Sequence, residues 1–216
     1  MHVEEIYISG KSRLTYTSFG FVTAESDRLE LYKAVLNGDW ENTLRLLVLN
    51  PLLVSAPIGT DDSPMLHIAV ELGEARMGFV EKFVNFMPNK VLVLRDSNGS
   101  TALFNAVRAG NIKAAKLLVD KKTDLPNICD NDKLVPLHSA LRYGHKELTI
   151  YLLSVTRDVD PSPFADKPGF ELLRRALMVG FHGELYLPSP IYFLDMNYRR
   201  VPMYNFIICR CSTASG

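Results

Sequence analysis

Apolar residues return along this chain at helical spacing, in short bursts separated by Gly, Pro and polar turns. Met77, Phe79, Val80, Phe83, Val84 and Phe86 make one burst, and Ile112, Ala114, Ala115, Leu117, Leu118 and Val119 a second. Leu148, Ile150, Tyr151, Leu152 and Leu153 make a third. Apolar positions three and four residues apart give a helix one face to bury, so each burst predicts a short amphipathic helix. Each is preceded by an Ala with a Gly four residues later. The pair occurs as Ala34/Gly38, Ala69/Gly73, Ala106/Gly110, Ala140/Gly144 and Ala176/Gly180, in successive steps of 35, 37, 34 and 36 residues. A small residue lets one helix approach its neighbour closely, and a Gly supplies the left-handed turn that ends it. The pattern predicts antiparallel helix pairs repeated at this period, the mark of a helical repeat stack.

Two copies agree in detail. Asp96, Gly99, Thr101, Leu103, Ala106, Gly110 and Leu118 recur as Asp130, Lys133, Val135, Leu137, Ala140, Gly144 and Leu152 or Leu153. The first unit predicts helices over 27–36 and 40–49, the latter stopped by Pro51. A second unit starts near Ser63-Pro64, and its second helix, over 75–87, is closed by Pro88. Asp96-Ser97-Asn98-Gly99 is a turn sequence. Asp166-Lys167-Pro168-Gly169 and Leu173 keep the same register in a fifth unit, whose second helix is interrupted by Gly183 and Pro188. The expected fold is therefore all-α, a solenoid of about four full helix-turn-helix repeats plus a degenerate fifth. Repeats fall near 26–60, 61–95, 96–129, 130–165 and, in part, 166–187. Residues 1–25 are expected to form a poorly ordered arm, their aromatics Tyr7, Tyr16, Phe19 and Phe21 alternating too loosely for a strand. Residues 188–216 are expected to form an irregular tail.

Pro136-Leu137-His138-Ser139-Ala140 and Leu66-His67-Ile68-Ala69 match the T-P-L-H-x-A core of the ankyrin repeat, which residues 27–180 resemble. The wording of Leu66-His67-Ile68-Ala69 and of residues 164–173 is similar to plant ankyrin proteins with a C-terminal PGG transmembrane domain, the accelerated-cell-death type. That resemblance implies an array at the cytoplasmic face of the plasma membrane, acting in stress and defence signalling. This sequence has no Pro-Gly-Gly motif, and apolar stretches such as 91–94 are far short of the ~20 residues of a membrane helix. The alternative to a free-standing scaffold is thus a truncated regulatory region of a membrane protein.

Composition narrows the partners. Lys plus Arg equals Asp plus Glu, 24 against 24, so no charge excess points to nucleic acid. Three cysteines, Cys129, Cys209 and Cys211, are too few for a disulfide framework and fit a reducing compartment. No secretory pattern is read in residues 1–26, and a cytoplasmic location is expected.

Candidate chemistry is sparse. His67 and His138 stand near the start of a first helix, where the repeat motif explains them as hydrogen-bonding backbone in their own turn and the next, while Phe104 fills that slot in repeat three and can only pack. No His-Glu-x-x-His or Cys-x-x-Cys pair offers zinc a ligand set, and Cys209-Arg210-Cys211 lacks a third ligand nearby. Asn98-Gly99-Ser100 fits the glycosylation pattern but is explained by the repeat turn. With no phosphate loop, dinucleotide fingerprint or nucleophile elbow, neither enzyme activity nor a cofactor is expected. The remaining enzyme alternative places a site in the C-terminal tail.

The expected function is protein binding. Repeat stacks bind through ladders of equivalent positions on an extended face. The residues just before each terminal Gly include Glu71, Arg108, Arg142 and Tyr143, and the turn fingers add Asn98, Asn131 and Asp132. Arg and Tyr are enriched at binding hot spots. Arg108, Arg142 and Tyr143 are expected to form a compact patch that contacts a protein partner of unstated identity.

Overall fold

A computed structural model describes residues 5–8, 12–15, 25–58, 63–179, 191–194 and 200–203. The chain divides into two compact units, Met1–Leu125 and Pro126–Gly216.

In the N-terminal unit, α1 (Glu25–Asn37) and α2 (Trp40–Leu49) form the first antiparallel pair. Asp39 starts α2 by accepting the Asn42 backbone N–H on Oδ1 at 3.1 Å, which satisfies one of the helix's orphan donors. The second repeat opens with α3 (Met65–Ala69) and continues through a 3-10 turn, Glu74–Arg76, into α4 (Met77–Phe86). A short helix α5 (Asn89–Leu92) follows Pro88, then α6 (Ala102–Arg108) and α7 (Ile112–Lys121). Two small antiparallel strand pairs accompany them. One joins β1 (Glu5–Ile8) to β2 (Ser12–Thr15), and the other β3 (Pro57–Ile58) to β4 (Ser63–Pro64). The C-terminal unit holds α8 (Pro136–Arg142), α9 (Lys146–Val155) and α10 (Asp166–Met178). Its strand pair joins β5 (Ile191–Leu194) to β6 (Arg200–Met203).

The five register alanines, Ala34, Ala69, Ala106, Ala140 and Ala176, are all buried. So are the leucines three residues before them, Leu31, Leu66, Leu103, Leu137 and Leu173. Burying a leucine side chain is worth about 1.5–3 kcal/mol, so these positions hold each repeat to its neighbours within a unit. Gly38, Gly110 and Gly144 take positive φ of 68°, 73° and 72°, the left-handed turn expected between paired helices.

Several local expectations are corrected. Gly73 is not in the left-handed region, because α3 ends at Ala69 and the chain leaves through the turn 70–72 before reaching it. On α9 the buried stripe is Leu148, Thr149 and Leu152, and Ile150 stands 49 % exposed on the opposite side. Asp166-Lys167-Pro168-Gly169 forms no finger turn but the first turn of α10, where a Pro without an N–H is tolerated. Strand pairs occur within the stretches 1–25 and 188–216, where the sequence pattern predicts no regular element. Gly180, Gly183 and Pro188, with the interrupted helix assigned to them, lie outside the described residues, as do Tyr16, Phe19 and Phe21.

Candidate functional site

The framework beneath the surface is built by side chains that reach one repeat ahead or behind. His67, fully buried on α3, approaches the Ser100 carbonyl with Nε2 at 2.9 Å. A carbonyl only accepts, so Nε2 carries the proton and donates. His138 on α8 does the same toward the Pro168 carbonyl at 3.0 Å, while its Nδ1 accepts the Val135 N–H at 3.2 Å. Both imidazoles are neutral, because burial disfavours the charged form. Desolvation lowers the pKa of His67 and pushes that of His138 down to about 4. Phe104, in the same slot of repeat three, is buried.

The finger turns have one design. Asp96 Oδ1 accepts the Asn98 and Ser100 N–H groups at 2.9 and 2.8 Å. Asp130 Oδ1 accepts those of Asp132 and Leu134 at 2.9 and 3.0 Å. Gly99 and Lys133 occupy the left-handed position of the two turns, at φ 76° and 63°. These carboxylates are spent on backbone, and turn formation accounts for both. Ser100 is buried, and its carbonyl is the His67 acceptor.

The ladder residues emerge from this framework. In the N-terminal unit Glu71, Asn98 and Arg108 are exposed. Arg108 Nη2 meets Glu71 Oε1 at 2.9 Å, pairing the ends of successive first helices. In the C-terminal unit Asn131, Asp132, Arg142 and Tyr143 are exposed. The Arg142 guanidinium lies 6.0 Å from the Tyr143 ring centroid, and that ring stacks on His145 at 6.3 Å. Two pairs are therefore brought together, Glu71 with Arg108 and Arg142 with Tyr143.

Sequence reasoning missed two bridging residues. Asn111 is buried. Its Oδ1 caps α7 at the Ala114 N–H (3.0 Å), and its Nδ2 donates to the carbonyls of Val70 (3.1 Å) and Leu72 (3.0 Å). A polar residue directly after Gly110 signals the cap, but nothing in the sequence signals its reach into the preceding repeat. Lys121 donates Nζ to the Val84 and Asn85 carbonyls at 2.6 and 2.7 Å, closing the end of α4, and desolvation lowers its pKa.

Among the described residues no group of three or more His, Cys, Asp or Glu is placed to hold a metal ion. Cys209 and Cys211 lie outside them. Among the same residues no helix is long and apolar enough to cross a membrane.

Comparison with known proteins decides the family. The family model for ankyrin repeats (three copies) matches residues 31–127 and 66–163. This chain is an ankyrin-repeat protein. It is 33 % identical over 112 residues to the ankyrin repeat and KH domain-containing protein mask-1 of Caenorhabditis elegans, a match covering 48 % of this chain and 4 % of that protein. A second ankyrin repeat and KH domain-containing protein, from Caenorhabditis briggsae, is 31 % identical over 101 residues, covering 46 % of this chain and 4 % of its own length. The chain thus spans only a small fraction of the length of these curated relatives. Its buried Leu–Ala framework, positive-φ glycines and histidine struts are the physical content of the family match.

Proposed function

We propose that this ankyrin-repeat chain is a non-enzymatic, cytoplasmic protein-binding scaffold, and that each unit presents its own recognition segment. Glu71, Asn98 and Arg108 form the segment of the first unit, and Asn131, Asp132, Arg142 and Tyr143 that of the second. One observation carries the reading. The side chains of these residues are exposed at helix ends and finger turns, while the Leu and Ala positions that pack the repeats together are buried, so the surface can vary without disturbing the stack. Ankyrin repeats serve generally as interaction modules, which supports a protein partner.

The test is quantitative affinity purification of the intact chain against a variant carrying R108A, R142A and Y143A. Loss of a partner from the variant, with an unchanged thermal midpoint, is the expected result. Unchanged recovery of every partner would remove the ladder assignment. The tail-enzyme alternative is tested by deleting residues 189–216 and finding that a measured turnover disappears.

A second reading makes the chain the cytoplasmic regulatory part of a PGG-type membrane protein in plant stress or defence signalling. The wording of Leu66-His67-Ile68-Ala69 and of residues 164–173 supports it. A transcript whose reading frame continues past Gly216 into apolar spans would favour this reading, and a stop codon there would count against it.

A further inference from the structure

The position two residues before the turn glycine holds Glu71, Arg108, Arg142 and Met178 in successive repeats. In the N-terminal unit this position is self-satisfied, since the Glu71 carboxylate meets the Arg108 guanidinium at 2.9 Å. In the C-terminal unit it holds an arginine and then a methionine. Among the described residues no carboxylate pairs with Arg142, whose guanidinium instead rests on the Tyr143 ring. That ring is 46 % exposed and is held from behind by His145.

The end of α10 lies beside this platform. A Cβ placed on Gly144 would come within 3.3 Å of Val179 Cγ1, so Val179 abuts the turn that follows Tyr143. Val179 is 40 % exposed and Met178 74 %. α10 adds positive charge. Its one carboxylate here, Glu171, is shared by Arg174 (Nε to Oε2 at 2.8 Å) and Arg175 (Nε to Oε1 at 2.6 Å). The Arg174 hydrogen bond first, and then the arginine charges, hold the Glu171 carboxyl at about 2, so it stays ionised and engaged. Arg174 in turn reaches the Met178 sulfur with Nη1 at 2.9 Å. Arg142 on α8 and Arg174 and Arg175 on α10 thus have one carboxylate between them, next to the exposed apolar surface of Tyr143, Met178 and Val179.

We propose that this α8–α10 end captures a polypeptide segment of a partner protein that carries an acidic side chain beside an apolar one. The partner's carboxylate sits on Arg142 as Glu71 sits on Arg108, and the apolar side chain covers Tyr143, Met178 and Val179. Charge complementarity of this kind sets selectivity and encounter rate more than raw affinity, while the apolar contact keeps the segment in place. The proposal rests on the scaffold reading above and adds the chemistry of the partner.

The experiment is selection of a random peptide library on the intact chain, followed by fluorescence-anisotropy titration of the enriched peptides. Enrichment of Asp or Glu adjacent to Leu, Ile, Phe or Trp is expected. R142E should weaken those peptides by about tenfold or more, since it replaces attraction with repulsion, and R142K should retain most of the binding. Arg142 is exposed, so the thermal midpoint of R142E should match wild type and exclude unfolding as the cause. Enriched peptides without acidic residues, or acidic peptides that bind R142E equally well, would overturn the inference and leave the scaffold reading standing. No enriched peptide at all would count against both. Binding of poly-uridylate that is lost in R142E, without acidic peptides, would overturn it in favour of nucleic acid.

Discussion

Lys133 holds a backbone conformation that suits glycine. Its φ of 63° matches the 76° of Gly99 in the preceding finger, and a side chain in the left-handed region costs about 1–2 kcal/mol. K133G should raise the urea midpoint by a net stabilisation of about 0.5–1 kcal/mol, part of the relief being offset by the greater freedom of glycine in the unfolded chain. The histidines make the opposite kind of prediction. Because burial lowers the folded pKa of His138 from 6.5 to about 4, the unfolded chain binds the proton first as pH falls. Stability is therefore full above the unfolded pKa and is lost progressively as pH drops from 6.5 toward 4. Urea denaturation of wild type should show a loss of about 2 kcal/mol between pH 7.5 and pH 5 from this residue. H138F, which places in repeat four the aromatic ring that Phe104 buries in repeat three, should be less stable at neutral pH but have a shallower pH dependence. The reach of both histidines to the next repeat is legible in the sequence because repeat position fixes it, whereas of the two only His138 also bonds its own turn.

At the scale of the element, Asn111 is the sharpest test. N111A removes the cap of α7 and strips the carbonyls of Val70 and Leu72 of their donor, for a cost of about 2–3 kcal/mol. Hydrogen exchange should accelerate at Ala114 and through the short helix α3. If only α7 responded, the bridge to the preceding repeat would carry no weight. The misread elements share a physical origin. Spacing identifies Gly73, yet spacing does not say where α3 stops, and the turn 70–72 absorbs the reversal before the glycine is reached. Ile150 counts as apolar at helical spacing, but in a run of consecutive apolar residues such as 150–153 some must face outward. Pro168-Gly169 has the composition of a turn and sits in the first helical turn, a position that proline also favours. A helix with an unambiguous stripe, such as α2, is legible to the residue.

For the molecule as a whole, the family and the helix-pair architecture are written in the period of the buried Leu–Ala framework. The pairing of the ladder residues is not, because it depends on which side chains of equivalent slots carry opposite charge. The Glu71–Arg108 pair is 40 % and 45 % exposed on its two sides, so its contribution to stability should be small. E71A should change the unfolding free energy by less than about 1 kcal/mol, which leaves surface variants interpretable as tests of recognition rather than folding. A final consequence lies in the reach of the bridging bonds. The His67–Ser100 bond spans 33 residues, the His138–Pro168 bond 30, the Asn111–Leu72 bond 39 and the Lys121–Val84 bond 37. Each closes a loop about one repeat long, and the entropic cost of closure grows only with the logarithm of that length. Folding can therefore advance as a series of similar short searches, and a duplicated repeat would add another step of that kind without lengthening any existing one.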